Sequence, residues 1–96
     1  MRIVWSRLAV DDREQIFDFI EANNVEAALR VDERILELVE KLSHFPEMGR
    51  PGRISKTREL VISDTPYIAA YRVAESSVLI LRILHGAQLW PMDFRA

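Results

Sequence analysis

Two arginines stand among apolar residues in the C-terminal third of the chain, and a histidine follows the second of them. Arg72 lies in the run 67–74, and Arg82 lies in the run 78–84, which leads to His85. A buried guanidinium is costly unless an acceptor faces it. A histidine at a strand end can transfer protons at neutral pH. The three residues are therefore candidates for phosphate binding and acid–base catalysis, although a structural histidine bonded to the backbone explains His85 equally well.

Four further cations lie in or just after a loop rich in proline and glycine. The loop spans residues 44–57, and the cations are Arg50, Arg53, Lys56 and Arg58. Arginine donates two parallel hydrogen bonds to a phosphodiester, so these side chains, with Arg72 and Arg82, suit a basic substrate-binding surface. The alternative is a solvated loop with salt bridges to acidic helices. The histidines have no cysteine or carboxylate at ligand spacing, so neither a metal site nor a cofactor is expected.

Length and composition indicate a folded chain, and the absence of cysteine fits a reducing compartment. The protein has 96 residues, no cysteine and a formal net charge of −2, which fits one domain over residues 1–96. No signal peptide and no bilayer-spanning apolar stretch is recognised, so we expect a cytoplasmic protein without a membrane partner. Charge is segregated, with a local net of −7 over residues 11–47 and +3 over residues 48–96. Two surfaces of opposite sign are therefore predicted.

The spacing of apolar residues predicts a strand, two helices and then three strands. The first strand is residues 2–5, and the first helix runs from Arg7 to about Ala22. A second helix has apolar residues stepping by three and four from Ala28 to Leu42. The later strands are predicted at residues 59–62, 67–74 and 78–84. This order predicts an α+β domain with a helical hairpin on one face of an antiparallel sheet.

Alternation along the last two strands predicts which side chains share a face. A three-residue turn at 75–77 would pair Arg72 with Ile80 and Arg82 with Ala70, placing both arginines on one face. A two-residue turn would put them on opposite faces. In the three-residue case the same face carries Ile68, Ala70, Val78, Ile80 and Leu84. Such a surface suits a protein partner, unless the C-terminal segment folds back over it through Trp90, Met92 and Phe94.

Several motifs, in chain order, resemble the RelE/ParE superfamily of bacterial toxins. They are Trp5-Ser6 before the helical hairpin and the segments 48–53, 58–61, 66–73 and 80–86. The resemblance covers essentially the whole chain and implies a RelE/ParE-like fold in a toxin of a type II toxin–antitoxin module. It also implies a hetero-oligomer in which a cognate antitoxin covers the apolar face of Ile68, Ala70, Val78, Ile80 and Leu84.

The resemblance implies three alternative actions. RelE-like and YafQ-like members cut mRNA on the ribosome without metal, and we expect this action, with His85 as acid/base and Arg72 and Arg82 on the phosphate. His85 matches the catalytic histidine of a YafQ-like toxin, and the basic residues of the RelE site correspond to Arg53, Lys56 and Arg58. However, Ile68 stands where RelE has an arginine. The alternatives are ParE-like inhibition of DNA gyrase and a non-toxic homologue that only binds its antitoxin.

Overall fold

The computed structural model describes residues 1–91 and 94, which form one sheet and a helical hairpin. The elements are β1 (Arg2–Trp5), α1 (Arg7–Glu21), α2 (Val25–Glu40), a short 3₁₀ helix (Lys41–Ser43), β2 (Arg50–Pro51), β3 (Arg58–Val61), β4 (Tyr67–Val73) and β5 (Ser77–His85). The sheet order is β1-β5-β4-β3-β2, with β1 parallel to β5 and the other neighbours antiparallel. The predicted α+β class is confirmed. The short edge strand β2 was not predicted, because two residues cannot show an alternating pattern.

Both helices begin at polar residues that satisfy a free backbone N–H. The Ser6 side-chain oxygen accepts from the Ala9 N–H at 3.1 Å, and the Asn24 side-chain oxygen accepts from the Ala27 N–H at 3.0 Å. Such N-caps replace hydrogen bonds that the first turn of a helix cannot make internally. The caps fix where each helix starts, and the short link between them folds α1 and α2 into the predicted hairpin.

The β4–β5 hairpin is closed by a two-residue turn. The Ala74 N–H donates to the Ser77 carbonyl at 2.8 Å, which leaves Glu75 and Ser76 as the turn. The three-residue turn was therefore the wrong prediction. As a result, Arg72 lies opposite Leu79 instead of the predicted Ile80.

A β-bulge in β5 then shifts the register by one residue. Ala70 pairs with Arg82 and Tyr71 pairs with Ile80, so β5 contributes one extra residue, Leu81, between these pairs. The predicted pairing of Ala70 with Arg82 is confirmed. Because side chains alternate regularly along β4, the bulge returns both arginines to one face in spite of the two-residue turn.

The two-residue turn decides which apolar side chains of β5 contact the helices, because it pairs Val78 with Val73 and Ile80 with Tyr71. Val78 and Ile80 lie in the core cluster with Ile35, Val39 and Leu42 of the helical layer. Their predicted grouping with Ile68, Ala70 and Leu84 is therefore wrong, since those three lie on the opposite side of the sheet. We call that side the outer face; its three apolar residues are only 7, 0 and 2% exposed, in the order given. The exposed apolar face predicted from the sequence is thus buried within this chain.

Candidate functional site

Arg82 is held by a carboxylate from the first helix. The Arg82 Nε and Nη2 atoms donate to the two Asp12 oxygens at 2.8 and 2.9 Å, and the Ile83 N–H donates to Asp12 at 2.9 Å. β1 pairs only with the first part of β5, so α1 supplies the acceptor for a strand edge that β1 leaves open. The hydrogen bonds that Arg82 donates to Asp12 raise the pKa of Arg82 against the opposing effect of burial. The guanidinium is therefore charged, but its charge is neutralised inside the molecule.

His85 is built into the turn that ends β5. The ring Nδ1 accepts from the Ala87 backbone N–H at 3.0 Å. The backbone N–H of His85 donates to the Gln88 side-chain oxygen at 2.7 Å. The ring meets Tyr67 edge-on, with 5.6 Å between the ring centroids. An Nδ1 that accepts a hydrogen bond has no proton, so the neutral ring carries its proton on Nε2. In this arrangement the free ring nitrogen is a donor.

Arg72 lies far from His85, although it shares a face of the sheet with Arg82. It lies exposed near the turn, opposite Leu79, whereas His85 lies opposite Tyr67 at the other end of β4. Five residues of strand separate the two positions, or about 16 Å at 3.3 Å per residue. The structure therefore brings Arg82 near His85 but leaves Arg72 far from His85.

Two of the four loop cations bind one buried glutamate. Arg50 Nη2 lies 3.0 Å from the Glu59 carboxylate, and Arg53 donates to it from its backbone N–H at 2.8 Å and from Nε at 3.0 Å. Glu59 is only 3% exposed. Burial by itself raises the pKa of this carboxyl, but the hydrogen bonds from Arg53 and Arg50 outweigh it and lower the pKa from 4.5 to about 2. Sequence reasoning missed Glu59, although a lone acid among four nearby cations was the available signal.

The other two loop cations lie at a separate shallow depression. Arg58 Nη1 donates to the Gly49 carbonyl at 2.7 Å and so fastens the loop to β3. Lys56 is exposed and has a positive φ of 65°. Both side chains line an open depression of about 370 Å³ with Thr57 and Val73. The basic surface predicted from the sequence is therefore divided, with one half bound to Glu59 and the other half facing solvent.

A second open depression lies between α1 and the end of β5. Its volume is about 270 Å³, and its lining includes Asp12, Gln15, Phe19, Tyr67, Arg82, His85 and Gln88. Phe19 is 75% exposed at its border. This is the place where predicted site residues meet, together with Asp12 and Phe19, which sequence reasoning did not select. The depression combines amide, imidazole and aromatic groups with an ion pair that is already neutral.

The fold and the comparisons with known proteins place the chain among the RelE/ParE superfamily toxins, as the resemblance implied. A family model described as "ParE toxin of type II toxin-antitoxin system, parDE" matches residues 3–90. The chain belongs to the ParE toxin family. It is thus the toxin component of a type II toxin–antitoxin module, and the family implies an antitoxin as its partner.

Individual relatives agree with this assignment. The chain is 44% identical over 90 residues to putative toxin Y4kP of Sinorhizobium fredii, covering 94% of this chain and 93% of the relative. It is 36% identical to toxin RelE2 of Caulobacter vibrioides, covering 92% of this chain and 98% of the relative. A solved structure of the chromosomal ParDE system from P. aeruginosa matches with a TM-score of 0.79 and 31% identity, covering 88% of this chain and 95% of that one. Among the described residues, neither helix has the length and apolar character that a membrane span requires.

Proposed function

We propose that this toxin arrests growth by binding its target, as in ParE-like inhibition of DNA gyrase, and that it does not act by cutting mRNA. The observation that carries the proposal is the two-point ion pair between Arg82 and Asp12. An arginine whose donors already face a carboxylate is not free to clamp a phosphate or to stabilise charge in a transition state.

The hydrogen bonding of His85 argues against its acting as a general base. A general base needs an unprotonated nitrogen within hydrogen-bond reach of the proton it removes. In His85 that nitrogen is Nδ1, which already accepts from Ala87. Arg72 lies about 16 Å along the strand from His85, and Arg82 is already bound to Asp12. Neither of these two arginines is therefore placed to hold a phosphate beside His85. Ribosome-dependent cleavage would need these groups to rearrange.

The surface of the toxin displays large apolar side chains suited to protein contacts. Phe19, Phe45 and Leu89 are 75, 64 and 96% exposed. Aromatic and aliphatic anchors of this kind commonly carry the affinity of protein interfaces. We place the antitoxin contact on the helical hairpin around Phe19, Val25 and Leu29, because the predicted contacts on the sheet are buried in the isolated chain. The acidic charge of the hairpin favours a basic antitoxin segment there.

The decisive experiment compares controlled expression of the wild-type toxin with His85→Ala and Arg72→Ala variants. We expect all three to arrest growth, with DNA synthesis falling before protein synthesis in simultaneous pulse labelling. Purified toxin should inhibit DNA supercoiling by gyrase and leave mRNA intact in a translation reaction. Antitoxin binding by each variant provides the folding control. The proposal is wrong if the His85→Ala variant binds the antitoxin but no longer arrests growth, and if only the wild type cuts mRNA. That result would show that the toxin acts by mRNA cleavage.

A further inference from the structure

We propose that Trp90 is a latch that fastens the C-terminal segment across the outer face of the sheet, and that its release exposes this face. The latch is held through Arg53, whose guanidinium lies 3.5 Å from the centroid of the Trp90 ring. At its other side the same guanidinium donates to Glu59 at 3.0 and 3.2 Å. The buried carboxylate thus orients the arginine, and the arginine orients the indole.

A second contact fixes the other end of the indole. The Trp90 Nε1–H donates to the His85 carbonyl at 3.2 Å. This carbonyl belongs to β5, while Glu59 belongs to β3, and β4 lies between them. Two strand spacings amount to about 10 Å. The Arg53–Trp90 stack therefore reaches across β4 on the side of the sheet to which Glu59 points.

The position of the stack accounts for the burial of the outer face. Glu59 pairs with Ala70, so their side chains lie on the same side, opposite the helices. Ile68, Ala70 and Leu84 are almost fully covered there, and the helical layer packs on the other face. Trp90 also packs against Phe94, with 6.3 Å between the ring centroids, while Met92 lies outside the described residues. In the described part of the chain, one stack and one hydrogen bond hold Trp90 to the sheet, so the segment opens locally without unfolding the core.

The fluorescence of Trp90 provides a direct test. The chain has two tryptophans, so a Trp5→Phe background leaves Trp90 as the only emitter. In that background, Arg53→Ala should shift the emission to longer wavelength and increase acrylamide quenching about twofold, since the stack that shields the ring is removed. Arg50→Ala is the matched control, because Arg50 binds the same Glu59 but does not stack on Trp90. If Trp5→Phe does not fold, fluorine NMR of the fluorotryptophan-labelled wild-type sequence and its Arg53→Ala variant measures the same change.

The exposed face is tested with an anilinonaphthalene sulfonate dye, which binds accessible apolar surface. Folded Arg53→Ala and Trp90→Ala proteins should bind the dye more strongly than the wild type, and Arg50→Ala should not. The latch is refuted if Arg53→Ala leaves the Trp90 signal unchanged, if Arg50→Ala alters it equally, or if neither opened variant binds more dye. Because the isolated toxin is measured, a negative result leaves the proposed inhibition of gyrase untouched.

Discussion

Asp12 and Arg82, 70 residues apart in the chain, join the first helix to the last strand through a two-point ion pair. The same carboxylate accepts the Ile83 N–H at 2.9 Å. One acidic side chain therefore closes the open strand edge and neutralises the cation that lies beside it. This relationship makes Arg82 part of the framework that holds the helical hairpin on the sheet.

Replacing Asp12 by alanine should destabilise the toxin by about 3 kcal/mol, because a partly buried guanidinium and a backbone N–H lose their acceptor. Urea denaturation followed by circular dichroism measures the change. Asp11→Ala is the matched control, because it removes an adjacent carboxylate while Asp12 keeps its hydrogen bonds to Arg82 and Ile83. Equal midpoints for the two variants would contradict a structural role for the pair.

Tyr71→Phe should lower stability by about 1–3 kcal/mol. The Tyr71 hydroxyl accepts from the Gly49 N–H at 2.9 Å and donates to the Pro46 carbonyl at 2.7 Å, and so ties the loop to the core. Thermal melting of Tyr71→Phe and Tyr67→Phe provides the comparison. The Tyr67 hydroxyl makes no hydrogen bond within the described residues, so its removal should change the melting temperature much less.

Stability should also fall at high pH through Tyr71. Burial raises the pKa of this phenol above 10.0 in the folded chain, although the Gly49 hydrogen bond opposes the change. A raised pKa means that the folded state holds the proton more tightly than the unfolded state. The stabilisation is therefore present below pH 10 and is lost as pH rises through the folded pKa. Denaturation of wild type and Tyr71→Phe between pH 8 and about pH 11 should show a steeper loss in the wild type.

Glu59 should make the fold sensitive to acid. Its pKa falls from 4.5 to about 2 on folding, so the unfolded chain binds a proton at a higher pH than the folded chain. The resulting stabilisation, on the order of 3 kcal/mol, is present above pH 4.5 and is lost as pH falls toward 2. Urea titrations of wild type and Glu59→Gln should differ clearly at neutral pH and converge in acid. A constant difference across this range would show that ionisation of Glu59 is not the cause.

Two glycines should respond very differently to a methyl group. A Cβ at Gly49 would lie 2.7 Å from the Tyr71 ring and 2.9 Å from the Glu59 carbonyl, both rigid and buried. A Cβ at Gly86 would meet the Ile68 Cδ1 atom at 3.4 Å, which is ordinary contact with a flexible side chain. Gly49→Ala should therefore cost about 1–3 kcal/mol, and Gly86→Ala much less, as measured by denaturant midpoints. Equal midpoints would mean that the loop moves away at no cost.

Local signals were enough to predict both helices and four of the five strands. The 3–4 spacing of apolar residues, with Ser6 and Asn24 as caps, defined both helices. Alternating apolar residues located β4 and β5 to within a residue or two. These features depend only on residues close together in the sequence. The motifs that carry the resemblance to RelE/ParE toxins are local in the same sense, so the sequence alone also predicted the toxin class.

The partners of the charged residues were decided only by the tertiary structure. The two-residue turn put Val78 and Ile80 on the helical face, and the bulge at Leu81 returned Arg82 to the outer face. The pattern of hydrophobicity shows neither feature, because both sheet faces are apolar. The acceptors of Arg82 and Arg53 lie on other elements, Asp12 in α1 and Glu59 in β3. The sequence determined that six cations lie in or beside the apolar strands, and long-range packing determined that three of them, Arg50, Arg53 and Arg82, bind a carboxylate. A partly buried charge is stable only beside its counter-charge.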